Sequence, residues 1–134
     1  MRKDFEFAAH STALAPFRTE LQDFLKASGF SQKTANDVNL AVGEALTNII
    51  RHAYGGKKGK IQVSIEDRAD HICIEIRDFG KRFDPATVPA PELPPKKPGG
   101  LGLYMIQTLM DRVEYDFNKP GQNCLRLTKF KAKK

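Results

Sequence analysis

The sequence has little that suggests a membrane anchor or an export signal, and neither is expected. No run of about 18 or more apolar residues occurs. The opening Met1-Arg-Lys-Asp-Phe-Glu-Phe has no apolar core of a secretory leader. A cytoplasmic protein with no membrane partner is expected. Cysteine is scarce: Cys73 and Cys124 are the only two, far apart in strand-like segments. They read as reduced packing residues rather than a disulfide or a metal site. The sequence also has no Gly-x-x-x-x-Gly-Lys-Ser/Thr loop, no third glycine in dinucleotide register after Gly100 and Gly102, and no His-Arg-Asp loop. A Walker-type nucleotidase, a dinucleotide-binding unit and a conventional protein kinase are thereby excluded. No recognisable nucleic-acid module is present either.

What is present fits one domain over residues 1–134. The formal net charge is +6. Lys57, Lys58 and Lys60 crowd one turn, and Lys129, Lys131, Lys133 and Lys134 make a basic tail over 129–134. Such clusters read as solvated ends rather than a binding stripe, so no direct nucleic-acid partner is expected. A basic surface still concentrates anionic ligands or acidic partners.

Periodicity predicts a strand over residues 4–9 and then a helix capped by Ser11 or Thr12, with Pro16 in its first turn and a stop at Gly29. Ser31 caps a longer helix that continues to about Ala53 and ends at Gly55-Gly56. Strands over Lys60–Glu66 and His71–Arg77 alternate with period two around the short connection Asp67–Asp70. Residues 81–98 hold six of the eight prolines, which rules out a regular helix or a central strand and suggests a lid over 81–99. A helix from about Gly100 to Asp111 follows. Strands over Val113–Phe117 and Asn123–Phe130 then flank the turn Asn118–Gly121. Five strands and three helices in this order suggest an α/β (α+β) fold of two layers, with the helices on one face of the sheet.

Three short stretches carry the chemistry. On the second helix, Val38, Ala41, Val42, Ala45, Leu46, Ile49 and Ala53 form the apolar stripe, while Glu44, Asn48 and His52 stack along another ridge at four-residue spacing. That ridge alone reads as the solvated side of an amphipathic helix. Asparagine, however, is a poor helix former, and its amide oxygen is a suitable hard ligand for Mg²⁺. Glu44, one turn away, is placed to take a proton from an attacking hydroxyl. Asp78 follows an alternating strand that ends at Arg77, where a carboxylate can accept from the exocyclic amine of adenine. Guanine presents a carbonyl there instead. The difference is about 1.5–3 kcal/mol, tenfold or more in preference. Gly80 lets the backbone approach the base. The bland alternative is a common Asp-x-Gly turn. Gly99, Gly100 and Gly102 precede an apolar helix pattern (Leu103, Ile106, Leu109, Met110), so phosphate can approach free N–H groups at the helix start. The bland alternative there is a flexible hinge before a helix.

Taken in order, these residues resemble a known superfamily. Glu44-Ala-Leu-Thr-Asn48-Ile-Ile-Arg-His52-Ala-Tyr54 resembles the N-box of the GHKL ATPases. Asp78-Phe-Gly80 resembles their first glycine box, and Gly99-Gly-Leu-Gly102-Leu-Tyr-Met-Ile their second. The closest likeness is to the small bacterial anti-sigma regulatory factors that are also serine-protein kinases. The resemblance implies the Bergerat fold, a two-layer sandwich with a flexible ATP lid, and it implies ATP and Mg²⁺ as cofactors. Carried over by position, Asn48 is the Mg²⁺ ligand, Glu44 the general base and Asp78 the reader of adenine. Gly80, Gly99, Gly100 and Gly102 shape the nucleotide pocket, with His52, Leu101 and Leu103 as further nucleotide contacts. Whether Lys96 or Lys97 reaches phosphate stays open. Two positions depart from the pattern. Arg82 stands where many members have a second glycine, as in some small anti-sigma kinases. Gly121 is followed by Gln122-Asn123-Cys124 where relatives often have Gly-Thr.

The length leaves no room for a phosphoacceptor hairpin or a transducer domain, so the acceptor hydroxyl is expected from another protein. The resemblance implies a sigma factor and a STAS-type anti-sigma antagonist as partners, with a homodimer left open. The alternative is a nucleotide-responsive binding module that transfers no phosphate.

Overall fold

The computed structural model describes residues 1–81 and 101–131. Its elements are β1 (Arg2–Ala8), α1 (Leu14–Ala27), α2 (Gln32–Asn48), β2 (Lys60–Asp67), β3 (His71–Asp78), α3 (Leu101–Leu109), β4 (Arg112–Asp116) and β5 (Asn123–Phe130). The five strands form one antiparallel sheet in the order β1-β2-β3-β5-β4. The expected order of elements is observed, with ends shifted by a residue or two. Lys129 and Phe130 of the expected basic tail belong to β5. The Lys129 amine donates to the Leu109 carbonyl at 2.7 Å, and Lys131 pairs with Asp67.

Alternation along the strands makes the two layers. Ile61, Val63 and Ile65 of β2, Ile72, Ile74 and Ile76 of β3, and Leu127 of β5 are fully buried on one face. They pack in one core with Phe17, Leu21 and Leu25 of α1 and Val38, Val42 and Leu46 of α2. Each such side chain contributes about 1.5–3 kcal/mol relative to exposure. The intervening residues carry a polar network: Arg77 donates to Glu75 at 2.7 Å and to Ser64 at 2.8 Å, and Arg126 reaches Glu75 at 3.5 Å.

Two helix ends differ from expectation. The first helix is entered through a 3₁₀ turn over Ser11–Ala13, and the cap is His10, whose ring accepts from the Thr12 N–H at 3.2 Å. His10 has the extended backbone that a cap needs, whereas Ser11 and Thr12 have already turned. Ser31 caps α2 as expected, accepting from the Thr34 N–H at 3.1 Å.

The second difference bears on function. The α-helical winding of α2 stops at Asn48 and gives way to a π-helical turn over Ile49–Ala53. The Tyr54 N–H bonds back to the Ile49 carbonyl, five residues earlier, at 3.1 Å. Such widened turns recur at functional sites. Gly55 and Gly56 then take left-handed conformations, with φ of 57° and 80°, and end the helical run.

Candidate functional site

One pocket opens between the end of α2, α3 and the strand ends of β3 and β5. Ile106 of α3 and Leu125 of β5 form its apolar floor, with Tyr115 and Phe117 stacked beside each other at 6.1 Å. Ala45, Asn48, Ile49 and Ala53 form the α2 wall, and Leu103 the α3 wall. The polar groups are few: Asn48, Asp78, Lys81 and Asn123. An apolar slot with a handful of polar groups is the usual make-up of a small-molecule site. The cavity has a volume of about 40 Å³.

Asp78 is 5% exposed. It is the last residue of β3, and alternation turns it to the same face as Ile72, Ile74 and Ile76. Its Oδ1 accepts from the Gly80 N–H at 3.1 Å and from the Asn123 side-chain amide at 2.8 Å. Among the described residues, nothing donates to its Oδ2. Burial pushes the Asp78 pKa up, and the Asn123 and Gly80 donors pull against that. A desolvated carboxylate with one oxygen uncommitted, facing a cavity, is an acceptor waiting for a ligand donor.

Asn48 is the last α-helical residue of α2, half-buried on the pocket wall. Its side-chain amide makes no hydrogen bond among the described residues. An amide oxygen free on a pocket wall suits a hard divalent cation that takes its other ligands from water and phosphate. The donor chemistry therefore fits Mg²⁺. Glu44 lies one turn earlier, half-buried, with no partner among the described residues, and it is not part of the pocket lining.

The structure thus brings Asn48, Asp78 and Leu103 to one cavity. His52 is exposed and outside the lining. The ridge predicted for Glu44, Asn48 and His52 assumes an unbroken α-helix. A π-helical turn after Asn48 interrupts that winding, so His52 does not continue the ridge at α-helical spacing. Gly80 has a further reason to be glycine: a Cβ there would stand 2.5 Å from the Ala53 carbonyl oxygen. Close packing of the strand end on α2 requires that hydrogen. Leu101 and Gly102 are the first backbone positions of α3. Gly99, Gly100 and all of the expected lid beyond Lys81 lie outside the described residues.

Three contributors escape sequence reasoning. Asn123 sits opposite Asp78 in the β3–β5 register, and only the pairing reveals it. The Tyr54 hydroxyl donates to the Lys60 carbonyl at 2.6 Å and accepts from the Phe79 N–H at 2.8 Å, fixing both strand ends beside the pocket. Tyr115 lies on the floor, where burial pushes its pKa up to about 12. The alternation of β4 could have singled it out as inward-facing, but not as part of a site.

The fold and the pocket define a nucleotide-binding ATPase domain: the chain belongs to the histidine kinase-like ATPase domain family, whose pattern matches residues 7–129. Within it, the chain is similar to proteins named serine-protein kinase RsbW. It is 37% identical to that of Oceanobacillus iheyensis over 106 residues, which covers 72% of this chain and 67% of the relative. It is 33% identical to that of Listeria innocua over 112 residues, covering 76% and 71%. Among solved structures, that of the RsbU and RsbW domains of a Mycobacterium tuberculosis protein superposes with a TM-score of 0.66 at 16% identity. That match covers 97% of this chain and 32% of the larger one, and it speaks for the fold alone. The histidine kinase domain of an Erythrobacter litoralis blue-light activated kinase superposes with a TM-score of 0.58 at 15% identity, covering 88% and 59%. Among the described residues, no helix is long and apolar enough to cross a membrane.

Proposed function

We propose that this chain is an ATP-dependent serine-protein kinase and anti-sigma regulatory factor. It phosphorylates a serine of a STAS-type antagonist and sequesters a sigma factor when the antagonist is absent or already phosphorylated. Both partners put it in the cytoplasm. The observation that carries the reading is the Asp78 carboxylate, buried and held by one oxygen, in the same cavity as the uncommitted Asn48 amide. Asp78 Oδ2 accepts from the exocyclic amine of adenine. The apolar floor takes the base, and the N-terminal end of α3 faces the phosphates, where free N–H groups and the helix dipole favour negative charge. Asn48 would hold Mg²⁺, whose part is to neutralise charge on the phosphates.

Transfer then needs little covalent work from the protein. The acceptor serine Oγ forms a bond to the γ-phosphorus while the bond to the β–γ bridging oxygen breaks, and ADP leaves. The serine proton passes to the Glu44 carboxylate, which has no competing donor among the described residues. Positioning of the two reactants supplies most of the acceleration.

The test is transfer of label from radiolabelled ATP to a candidate STAS-type antagonist and to its serine-to-alanine variant. Label on the first and none on the second is expected. ATP binding without transfer leaves a nucleotide-responsive binding module. Nucleotide at 100 times its dissociation constant stabilises by about 2.7 kcal/mol, so a flat thermal shift with ATP removes the nucleotide reading altogether.

A further inference from the structure

The Asn123 amide nitrogen faces three oxygens: Asp78 Oδ1 at 2.8 Å, the Gly80 carbonyl at 3.2 Å and the Lys81 carbonyl at 3.4 Å. All three are acceptors, so the amide has one orientation and the nitrogen is the atom that faces them. Asn123 therefore spans the strand end that carries Asp78. The carboxylate cannot turn about its own axis without breaking the Asn123 and Gly80 bonds to Oδ1 together. We propose that Asn123 is a positioning residue for base recognition: it fixes Asp78 by Oδ1, so that Oδ2 is presented as an acceptor to the 6-amino group of a purine. This rests on the adenine-binding reading of the pocket and adds to it the residue that makes the reading selective.

The chemistry predicts how selectivity fails. An ionised Asp78 offers only an acceptor, which suits a 6-aminopurine and repels the carbonyl of a 6-oxopurine. A protonated Asp78 offers a donor, which a 6-oxopurine accepts. Burial pushes Asp78 toward protonation, and the Asn123 donor opposes this. Removing the donor therefore raises the pH at which Asp78 takes up a proton. It weakens ATP binding and lets a 6-oxopurine in, most of all on the acid side of neutrality. Burial holds Tyr115 in the pocket and Tyr54 beside it neutral, and pushes the Cys124 thiol up to about 11. His52, exposed nearby, is common to every variant.

The experiment is titration of the full chain with Mg-ATP and Mg-ITP, which differ at purine position 6, from mildly acidic to neutral pH. The variants are Asn123→Leu, which keeps the size and loses the donor, Asn123→Ser, whose hydroxyl falls short of Asp78, and Asp78→Asn. The wild type is expected to prefer ATP. Asn123→Leu is expected to bind ATP about tenfold more weakly, the loss typical of a hydrogen bond to a charged group. Its ATP-to-ITP ratio falls and its acid limb moves to higher pH. Asn123→Ser moves the same way and serves alone if the leucine variant does not fold. Asp78→Asn loses the acid limb that belongs to Asp78. A merely structural role for Asn123 lowers the melting temperature and leaves the ratio and the acid limb where they are. If every folded Asn123 variant keeps the wild-type ratio and acid limb, the positioning role is overturned while the pocket reading stands. A wild type that binds ATP and ITP alike overturns the base reading, and this role with it.

Discussion

The hydroxyl of Tyr54 accepts the Phe79 N–H at 2.8 Å while donating to the Lys60 carbonyl at 2.6 Å. One side chain at the end of the α2 run thus ties together the start of β2 and the exit of β3, next to Asp78. Tyr54→Phe leaves both backbone groups without their partner. A loss of about 1–3 kcal/mol is expected, read as a lower urea midpoint with an unchanged slope. ATP affinity falls with it, because the Asp78 strand end loosens.

Gly80 meets α2 from the other side. The Cβ of Gly80→Ala would stand 2.5 Å from the Ala53 carbonyl oxygen, a backbone atom that cannot swing away. The Lys81 N–H already bonds to that oxygen at 2.6 Å. Overpacking of this kind costs about 1–3 kcal/mol. Thermal melts are expected to show it, and a wild-type melting temperature for the variant would contradict the packing argument.

Asp78 sets function against stability. Its pKa is raised from 3.8 in the folded chain. Between the unfolded and folded values the folded state binds more protons, so stability falls as pH rises through that window, and the penalty is complete above the folded pKa. Asp78→Asn removes the buried charge, and its amide oxygen can still accept from Asn123 and Gly80. At neutral pH the variant is expected to melt at or above the wild-type temperature while binding ATP at least tenfold more weakly. A variant that is less stable at neutral pH and equal at acid pH would reverse this assignment.

Glu44→Gln keeps the shape of α2 and loses the base. Phosphorylation of a cognate antagonist is expected to fall by about 10²–10⁴-fold, with the ATP dissociation constant unchanged because Glu44 is outside the pocket lining. Full transfer by this variant would remove Glu44 from the role.

The seam between α1 and α2 offers a control far from nucleotide. Asn39 is 7% exposed; it accepts from Arg18 Nε at 2.8 Å and donates to the Arg18 carbonyl at 2.8 Å and to Gln22 Oε1 at 3.0 Å. Asn39→Leu strands these partners and is expected to cost about 1–3 kcal/mol in urea unfolding, with ATP affinity preserved.

Local chemistry explains what was legible. The alternation of β2 and β3, the Ser31 cap and the Gly55-Gly56 stop are written in neighbouring residues, because period, cap and turn are short-range effects. Asn48 could be singled out for the same reason, as an asparagine within a helix, and Asp78 as a carboxylate at a strand end before Gly80. The π-helical turn over Ile49–Ala53 was not legible. Its residues are good enough for an α-helix, and the packing of Ala53 and Tyr54 on the β3 exit accompanies the widened winding. The role of Asn39 is not written in its neighbours, since its partners on α1 are 17 and 21 positions away.

The residues alone determined the order of elements and the apolar faces, and marked the candidate groups for a nucleotide. Only the tertiary structure decided which of them share a cavity. Antiparallel pairing of β3 with β5 set Asn123 against Asp78, 45 positions apart, and α-helical winding gave way to a wider turn after Asn48. Periodicity reports which way a side chain faces along its own element; what it meets there depends on register and winding, which the packed whole imposes.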